Sequence, residues 1–333
     1  MDNILEIKNL YVSYQTFGGV ARAINNLNLK IKPGESLGLV GETGAGKTTT
    51  ALSILKLLPP RTGRINRGEI YFDGVDLVKK PEEYMQKIRG NKISMIFQNP
   101  LTSLNPVFTI GEQISMVFTR HHRLSQKEAW EKAGEMLEVV GIPSRRTEEY
   151  PHQFSGGMRQ RVGIAAALAC KPSLLIADEP TTALDVTIQA QVLELLKDLM
   201  KQYSTSLIMI SHNLGVIADI CQNVAVMYAG SIIEYGSREQ VFRHPSHPYT
   251  RGLFASLPDI YDKKERLNAM KGVVSDALNL PEGCKFNPRC PYCTEKCRED
   301  IPDLVQIGPD HYIACFKEKE MEGENVDYTA ARA

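Results

Sequence analysis

Gly41-Glu42-Thr43-Gly44-Ala45-Gly46-Lys47-Thr48 has the spacing G-x-x-x-x-G-K-[ST]. Its glycines let backbone N–H groups turn inward into a nest for phosphate oxygens, and a helix opening near Lys47 adds its positive end. The Lys47 ammonium would then reach the β- and γ-phosphates of a nucleotide, and the Thr48 hydroxyl would coordinate Mg²⁺. A second site follows from Leu174 to Ala177, an apolar run that leads straight into Asp178-Glu179. A carboxylate at the end of a core strand is costly unless it meets a cation. Asp178 is therefore a candidate to hold Mg²⁺, directly or through water, and Glu179 a candidate to polarise an attacking water. A third group is the cysteines. Five of the seven crowd into C-x5-C-x2-C-x3-C-x17-C, namely Cys284, Cys290, Cys293, Cys297 and Cys315. Four thiolates suffice for Zn²⁺ or for an iron–sulfur cluster. Cys290-Pro291-Tyr292-Cys293 has zinc-like spacing, but Cys284 and Cys315 supply no second close pair. Cys170 and Cys221 sit in apolar stretches and are expected to be inert core residues.

These groups need elements to position them. Ser36–Val40, Leu174–Ala177 and Leu207–Ile210 read as buried strands. Between the last two, Ile188, Val192, Leu195, Leu196 and Leu199 form a helical stripe. Strands alternating with helices predict a parallel or mostly parallel sheet with helices on its faces, hence an α/β fold. The region of about 100–165 differs. Ser125-Gln126-Lys127-Glu128 is a capping box, Ala129, Ala133, Met136, Leu137 and Val140 follow on one face, and Gly141 can end the helix. The stretch reads as a helical insertion in the α/β core. Beyond about residue 240, His-Pro, Gly-Cys and Pro-Arg-Cys-Pro segments predict a small loop-rich appendage. His244 and His247 read there as exposed loop histidines. Residues 319–333, poor in apolar side chains, are expected to form a mobile tail.

Composition narrows the class. The chain has 333 residues, and 39 Lys+Arg balance 39 Asp+Glu. A zero net charge argues against nucleic-acid binding through a broad basic surface. No apolar run approaches the ~18 residues a membrane span needs, and Met1-Asp2-Asn3 does not open a secretory signal. A cytosolic location is expected, where disulfides are rare.

Between the two phosphate-related sites stands Phe154-Ser155-Gly156-Gly157-Met158-Arg159-Gln160-Arg161. With it the chain resembles the ATP-binding cassette (ABC) ATPases: Ser155-Gly156-Gly157 resembles their signature motif, with Phe154 and Met158 replacing the commoner Leu and Gln. Gln98 in Ile96-Phe97-Gln98-Asn99-Pro100 resembles the Q-loop, Ala183-Leu184-Asp185 the D-loop, and His212 the switch histidine. Tyr14 lies where the family places an aromatic that stacks on adenine. Order and spacing agree over about residues 5–240. The resemblance implies an ABC-type P-loop NTPase, with a RecA-like core, a β-rich N-terminal part and an inserted helical subdomain. It implies ATP bound by Tyr14, Gly41, Thr43, Gly44, Ala45, Gly46, Lys47, Thr48 and Thr49, with Gln98, Asp178 and His212. Mg²⁺ would be held through Thr48, Gln98 and Asp178. Glu179, His212 and Gln98 would be catalytic. Ser155, Gly156, Gly157 and Asp185 would act on the nucleotide of a second subunit, so that ATP joins two cassettes head to tail.

Three stretches extend the resemblance over roughly 5–318: Tyr150 to Arg161, Ala177 to Thr187, and His247-Pro248-Tyr249-Thr250-Arg251-Gly252-Leu253. They look like the ATP-binding subunits of dipeptide, oligopeptide and nickel importers, with Met158 and Thr181-Thr182 resembling the D partner of their D/F pair. The implied domains are 1–240 for the ATPase, with its helical subdomain at about 100–165, and 241–318 for a C-terminal extension. The implied activity is ATP hydrolysis, a translocase reaction, that powers import of peptides, nickel or another small solute. The implied partners are a second ATPase subunit, two transmembrane permease subunits and, indirectly, an external solute-binding protein, with no nucleic acid. The location would be peripheral, on the cytoplasmic face of a bacterial or archaeal membrane. These importer subunits often carry Cys-x5-Cys-x6-Cys and a distant Cys, which matches Cys284, Cys290, Cys297 and Cys315. The resemblance thus implies [4Fe–4S] ligands, with Cys293 as a competitor and Zn²⁺ as the alternative metal. Two other readings are a soluble ABC ATPase of DNA repair or translation, and a regulatory ATPase gated by the redox state of the cluster.

Overall fold

The computed structural model describes residues 3–98, 103–182, 184–256, 270 and 272–316. The start of the expected helical insertion, Ala183 of the D-loop motif and the expected mobile tail at 319–333 lie wholly or partly outside the described residues. The chain divides into two compact units, each assembled from separate stretches.

The first unit comprises Met1–Ile4, Ile31–Ser36 and Lys79–Ser211. Its sheet is parallel, with β7 (Leu174–Asp178) between β6 (Ile93–Ile96) and β8 (Ser206–Ile210). All five residues of β7 and all five of β8 are buried. That explains continuous apolar runs rather than alternation, since a parallel sheet covered on both faces has no solvent side. Helix α6 (Val186–Tyr203) buries Val192, Leu193, Leu196 and Leu199 along one face, and each such side chain contributes roughly 1.5–3 kcal/mol of burial. Helix α2 (Glu82–Ile88) precedes β6, and the helical part contains α3 (Ile110–His122), α4 (Gln126–Val139) and α5 (Gly156–Leu168), which pack on one another. The capping box expected at Ser125 is present: the Ser125 hydroxyl accepts from the Glu128 N–H at 3.3 Å, and Glu128 accepts from the Ser125 N–H at 2.9 Å. Thr109 and Glu112 cap α3 in the same way.

The second unit comprises Leu5–Lys30, Leu37–Val78 and His212–Ala333. An antiparallel sheet of order β2 (Gly19–Ile31), β1 (Leu5–Thr16), β4 (Gly63–Phe72), β5 (Val75–Asp76) forms its N-terminal part. A second set of strands runs β11 (Val305–Gly308), β12 (His311–Ile313), β10 (Ser231–Ser237), β9 (Asn223–Tyr228), β3 (Ser36–Val40). Strands β3 and β9 pair in parallel, and helix α1 (Lys47–Ile54) follows β3. The region after residue 240 is not all loop. Helix α8 (Arg238–Arg243), helix α9 (Pro248–Ala255) and the short α10 (Glu295–Glu299) lie in it, and β12 joins it to β10.

Candidate functional site

The phosphate loop joins β3 to α1 as its spacing predicts. Gly41 and Gly46 have φ of 147° and 103°, in the left-handed range. A Cβ on Gly41 would lie 2.3 Å from the Met227 carbonyl oxygen, and one on Gly46 2.7 Å from that of Ala23. Both positions therefore require glycine. The Gly230 N–H donates to the Ala45 carbonyl at 3.0 Å, and Asn25 holds Ala229 and Gly230 in turn. The buried Lys47 ammonium donates to the carbonyls of Gly41 at 2.7 Å and Glu42 at 3.0 Å. Thr43, Gly44 and Thr48 are exposed, so the cradle is open to solvent. Tyr14 is half-buried, and its hydroxyl donates to Thr49 at 3.3 Å. His212 lies in the same unit, exposed, just before α7 (Leu214–Ile220), whose N-cap Asn213 accepts from the Gly215 N–H.

Asp178, Glu179 and Gln98 lie in the other unit, together. Asp178 ends β7 and is 2% exposed. Glu179 has φ 47°, a conformation that costs a residue with a Cβ roughly 1–2 kcal/mol. Its N–H donates to the Ile210 carbonyl at 2.9 Å, and its carboxylate accepts from the Gln98 amide at 2.7 Å and from the Thr182 hydroxyl at 3.0 Å. The strained backbone and both donors together hold one carboxylate in place just after the end of β7. Residues separated by 81 positions meet here, which the sequence motifs alone did not state.

Ser155 is the N-cap of α5 and accepts from the Met158 N–H at 3.4 Å. Gly156 begins the helix, and Gly157 lies so near α6 that a Cβ would sit 2.4 Å from Ile188 Cγ2. Asp185 caps α6, accepting from the Ile188 N–H at 2.9 Å. Two helix N-termini thus meet at the signature segment, both with exposed caps. Arg146 supports this segment: it pairs with Glu149, and its guanidinium stands 4.3 Å from the centre of the Phe154 ring.

The cysteines behave less simply. Cys284, Cys290, Cys297 and Cys315 line one cavity, also bordered by Phe286 and Phe316. Cys293 is not part of that lining, and its thiol faces the Thr294 carbonyl at 3.5 Å. Burial pushes the Cys284 and Cys290 thiols up to about 11, with the neighbouring sulfurs adding to the effect. Among the described residues, however, no three His, Cys, Asp or Glu side chains converge as ligands of a metal ion. The expected ligand set is thus present as a shared lining and not as a closed coordination shell, for Zn²⁺ as for iron–sulfur. A single Zn²⁺ draws its thiolates to ~2.3 Å, whereas a cluster of several irons spreads its thiolates around a larger body. Burial also pushes Cys170 up to about 11 and Cys221 up to about 12, which keeps them as inert thiols.

One expectation is corrected. His247 is not an exposed loop histidine: it is 1% exposed and caps α9, its Nδ1 accepting from the Tyr249 N–H at 3.0 Å. His244 is exposed as expected. The His247 N–H donates to Glu234 at 2.9 Å, and this fully buried carboxylate also meets His311 Nε2 at 2.8 Å.

Sequence reading also missed how the phosphate loop is fastened. The Glu42 N–H donates to the Tyr249 hydroxyl at 2.9 Å. The Arg289 guanidinium donates to both Glu42 carboxylate oxygens, at 2.7 Å and 3.1 Å. The only visible signal was Tyr249 within the His247-Pro248-Tyr249 stretch, which named a subfamily without showing a contact.

With this geometry described, comparison with known proteins is informative. The pattern of the ABC transporter family matches residues 24–182, and that of the oligopeptide/dipeptide transporter C-terminal region matches residues 233–297. The chain is 49% identical over 313 residues to the oligopeptide transport ATP-binding protein OppD of Bacillus subtilis, covering 93% of this chain and 87% of that protein. It is 48% identical to the Haemophilus influenzae OppD, over 96% of this chain and 99% of that one. A probable peptide ABC transporter ATP-binding protein of Sinorhizobium fredii, y4tR, is 49% identical over 96% of both chains. Among solved structures, the dimeric ATP-binding cassette MJ0796, in a post-hydrolysis state bound to ADP and Pi, superposes with a TM-score of 0.63. It is 29% identical, over 70% of this chain and 98% of that one. The fold is therefore that of an ABC-type P-loop cassette, and the chain belongs to the ATP-binding proteins of ABC transporters, in the branch that carries the oligopeptide/dipeptide transporter C-terminal region.

Proposed function

We propose that this chain hydrolyses ATP to power peptide import through a membrane ABC transporter. The observation that carries the hydrolytic part is the Glu179 carboxylate, held just after the end of β7 by Gln98 and Thr182. A carboxylate held by two donors keeps its lone pairs oriented toward a water and can accept its proton as that water attacks the γ-phosphorus. Gly41 to Thr49 would hold the phosphates, Lys47 would leave its loop carbonyls for the β- and γ-oxygens, and Tyr14 would stack on the adenine. Thr48, Gln98 and Asp178 would hold Mg²⁺, which neutralises charge on the phosphates. His212 would donate to the γ-phosphate. The peptide substrate rests on the oligopeptide transport proteins named above, whose C-terminal region this chain shares.

The exposed N-terminus of α5, with Ser155, Gly156 and Gly157, and the cap Asp185 would meet the γ-phosphate bound by a second cassette. Dimerisation would then depend on ATP. The dimer of the similar cassette MJ0796 supports this reading. Two permease subunits would carry the peptide across the membrane, after delivery by an external solute-binding protein. The chain would sit peripherally on the cytoplasmic face, a reading that rests on its likeness to the ATP-binding proteins of peptide importers; among the described residues no helix is long and apolar enough to cross a membrane. We assign residues 1–240 to the ATPase domain, with its helical subdomain at about 100–165, and 241–318 to the importer extension. In the extension, Cys284, Cys290, Cys297 and Cys315 would hold a [4Fe–4S] cluster. The shared cavity lining supports that set over one using Cys293. Such a cluster would replace a core that a small segment cannot build.

The functional reading is tested by Glu179→Gln in the complex reconstituted with its permease subunits in liposomes. The variant is expected to bind MgATP, to stay dimeric with ATP and to lose ATPase activity by about 10²–10⁴-fold. Peptide uptake should fall in parallel. Full ATPase activity, or a monomer with ATP and its partners, would refute the reading.

A further inference from the structure

Glu42 is an acidic residue inside a loop built to receive a polyanion. It is held at three points. Its N–H is accepted by the Tyr249 hydroxyl at 2.9 Å, its carbonyl accepts from Lys47 at 3.0 Å, and its carboxylate takes both arms of Arg289. The Arg289 side chain is 4% exposed while that of Glu42 is 27% exposed. The cation is thus the buried partner, and burial strengthens a two-armed pair by excluding water. Arg289 is locked from behind. Its guanidinium lies 5.9 Å from the ring centres of both Tyr228 and Phe286, and a Cβ on Gly272 would meet its stem at 3.0 Å. Tyr249 is locked as well, packed at 4.8 Å against Tyr228 and 5.5 Å against Phe286, with its N–H accepted by His247. Two rigid side chains from beyond residue 240 therefore grip one residue of the phosphate loop. Resting on the ATP reading above, we propose that Arg289 and Tyr249 are positioning residues of the nucleotide site. Arg289 neutralises Glu42 beside the incoming phosphates, and Tyr249 fixes the loop backbone at the same residue.

The physical consequence is specific. Without Arg289, Glu42 is an uncompensated negative charge next to the phosphates and repels them. Removing that charge in the same molecule should restore affinity, which a purely structural role of Arg289 would not allow. The experiment measures MgATP binding by the full chain, by titration calorimetry, for wild type, Lys47→Ala, Arg289→Ala, Arg289→Lys, Tyr249→Phe and Arg289→Ala/Glu42→Gln. The dissociation constant is expected to rise at least fivefold in Arg289→Ala and to return within twofold of wild type in the double variant. Arg289→Lys keeps the cation and its packing stem but not the fork, and should fold normally and weaken binding two- to threefold. Tyr249→Phe loses the acceptor for the Glu42 N–H and should also weaken binding two- to threefold. An Arg289→Ala constant equal to wild type, or a weakened one that the double variant does not restore, would overturn the proposal. Failure of the wild type to bind, or unaltered binding by Lys47→Ala, would overturn the ATP reading instead.

Discussion

Acidification should weaken the C-terminal extension through one residue, His247. Its imidazole is buried, and burial pushes its pKa down from 6.5 to about 4, the nearby Glu234 carboxylate only partly opposing the shift. The sign follows from linkage. Above pH 6.5 the ring is neutral both folded and unfolded, and stability is full. As the pH falls from 6.5 towards 4, the unfolded chain takes up a proton that the folded ring refuses, so stability is lost. A difference of about 2.5 pKa units at about 1.4 kcal/mol each is worth about 3 kcal/mol, complete near pH 4. Near His247 are Glu234, the Phe286 ring at 5.7 Å and the Tyr249 N–H that its ring caps, and the residue also borders the cavity lined by Cys284, Cys290, Cys297 and Cys315. His311 meets the same carboxylate. His247→Asn keeps a side-chain acceptor for the Tyr249 N–H and removes the titration. Urea unfolding of both proteins at pH 7.5 and pH 4.5 is the assay. With a slope of about 3 kcal/mol per molar urea, the wild-type midpoint should fall by up to about 1 M more than that of the variant. Equal falls in the two proteins would refute the reasoning. The same titration should loosen Tyr249, and through it the Glu42 N–H in the phosphate loop.

Two further outcomes are expected. Gly157→Ala places a methyl 2.4 Å from Ile188 Cγ2 and should cost about 1–3 kcal/mol of overpacking, seen as a lower melting temperature. Ile188→Ala in the same molecule should recover most of it, and an unchanged melting temperature would refute the close approach of α5 to α6. Anaerobic purification should yield protein with iron and acid-labile sulfide, lost in Cys290→Ser and retained in Cys293→Ser, whereas zinc alone by elemental analysis would refute the cluster.

Several features were legible because they are local. The cap on α4, the strand Ser36–Val40 and the acid at the end of β7 each depend on residues within a few positions. His247 was misread because its burial depends on Glu234 and Phe286, and a His-Pro dipeptide looks the same in a loop and at a helix start. The cysteine spacing named five candidates, the resemblance set Cys293 apart from the other four, and those four line one cavity.

The amino-acid sequence by itself determined the phosphate chemistry. A backbone nest needs glycines at set intervals and a helix start, and both are properties of one short segment. The tertiary structure alone decided what holds that nest in place. Glu42 and Arg289 stand 247 positions apart, and no spacing rule links them. An ion pair is chosen by distance in space and by exclusion of water, which exist only once the chain has folded.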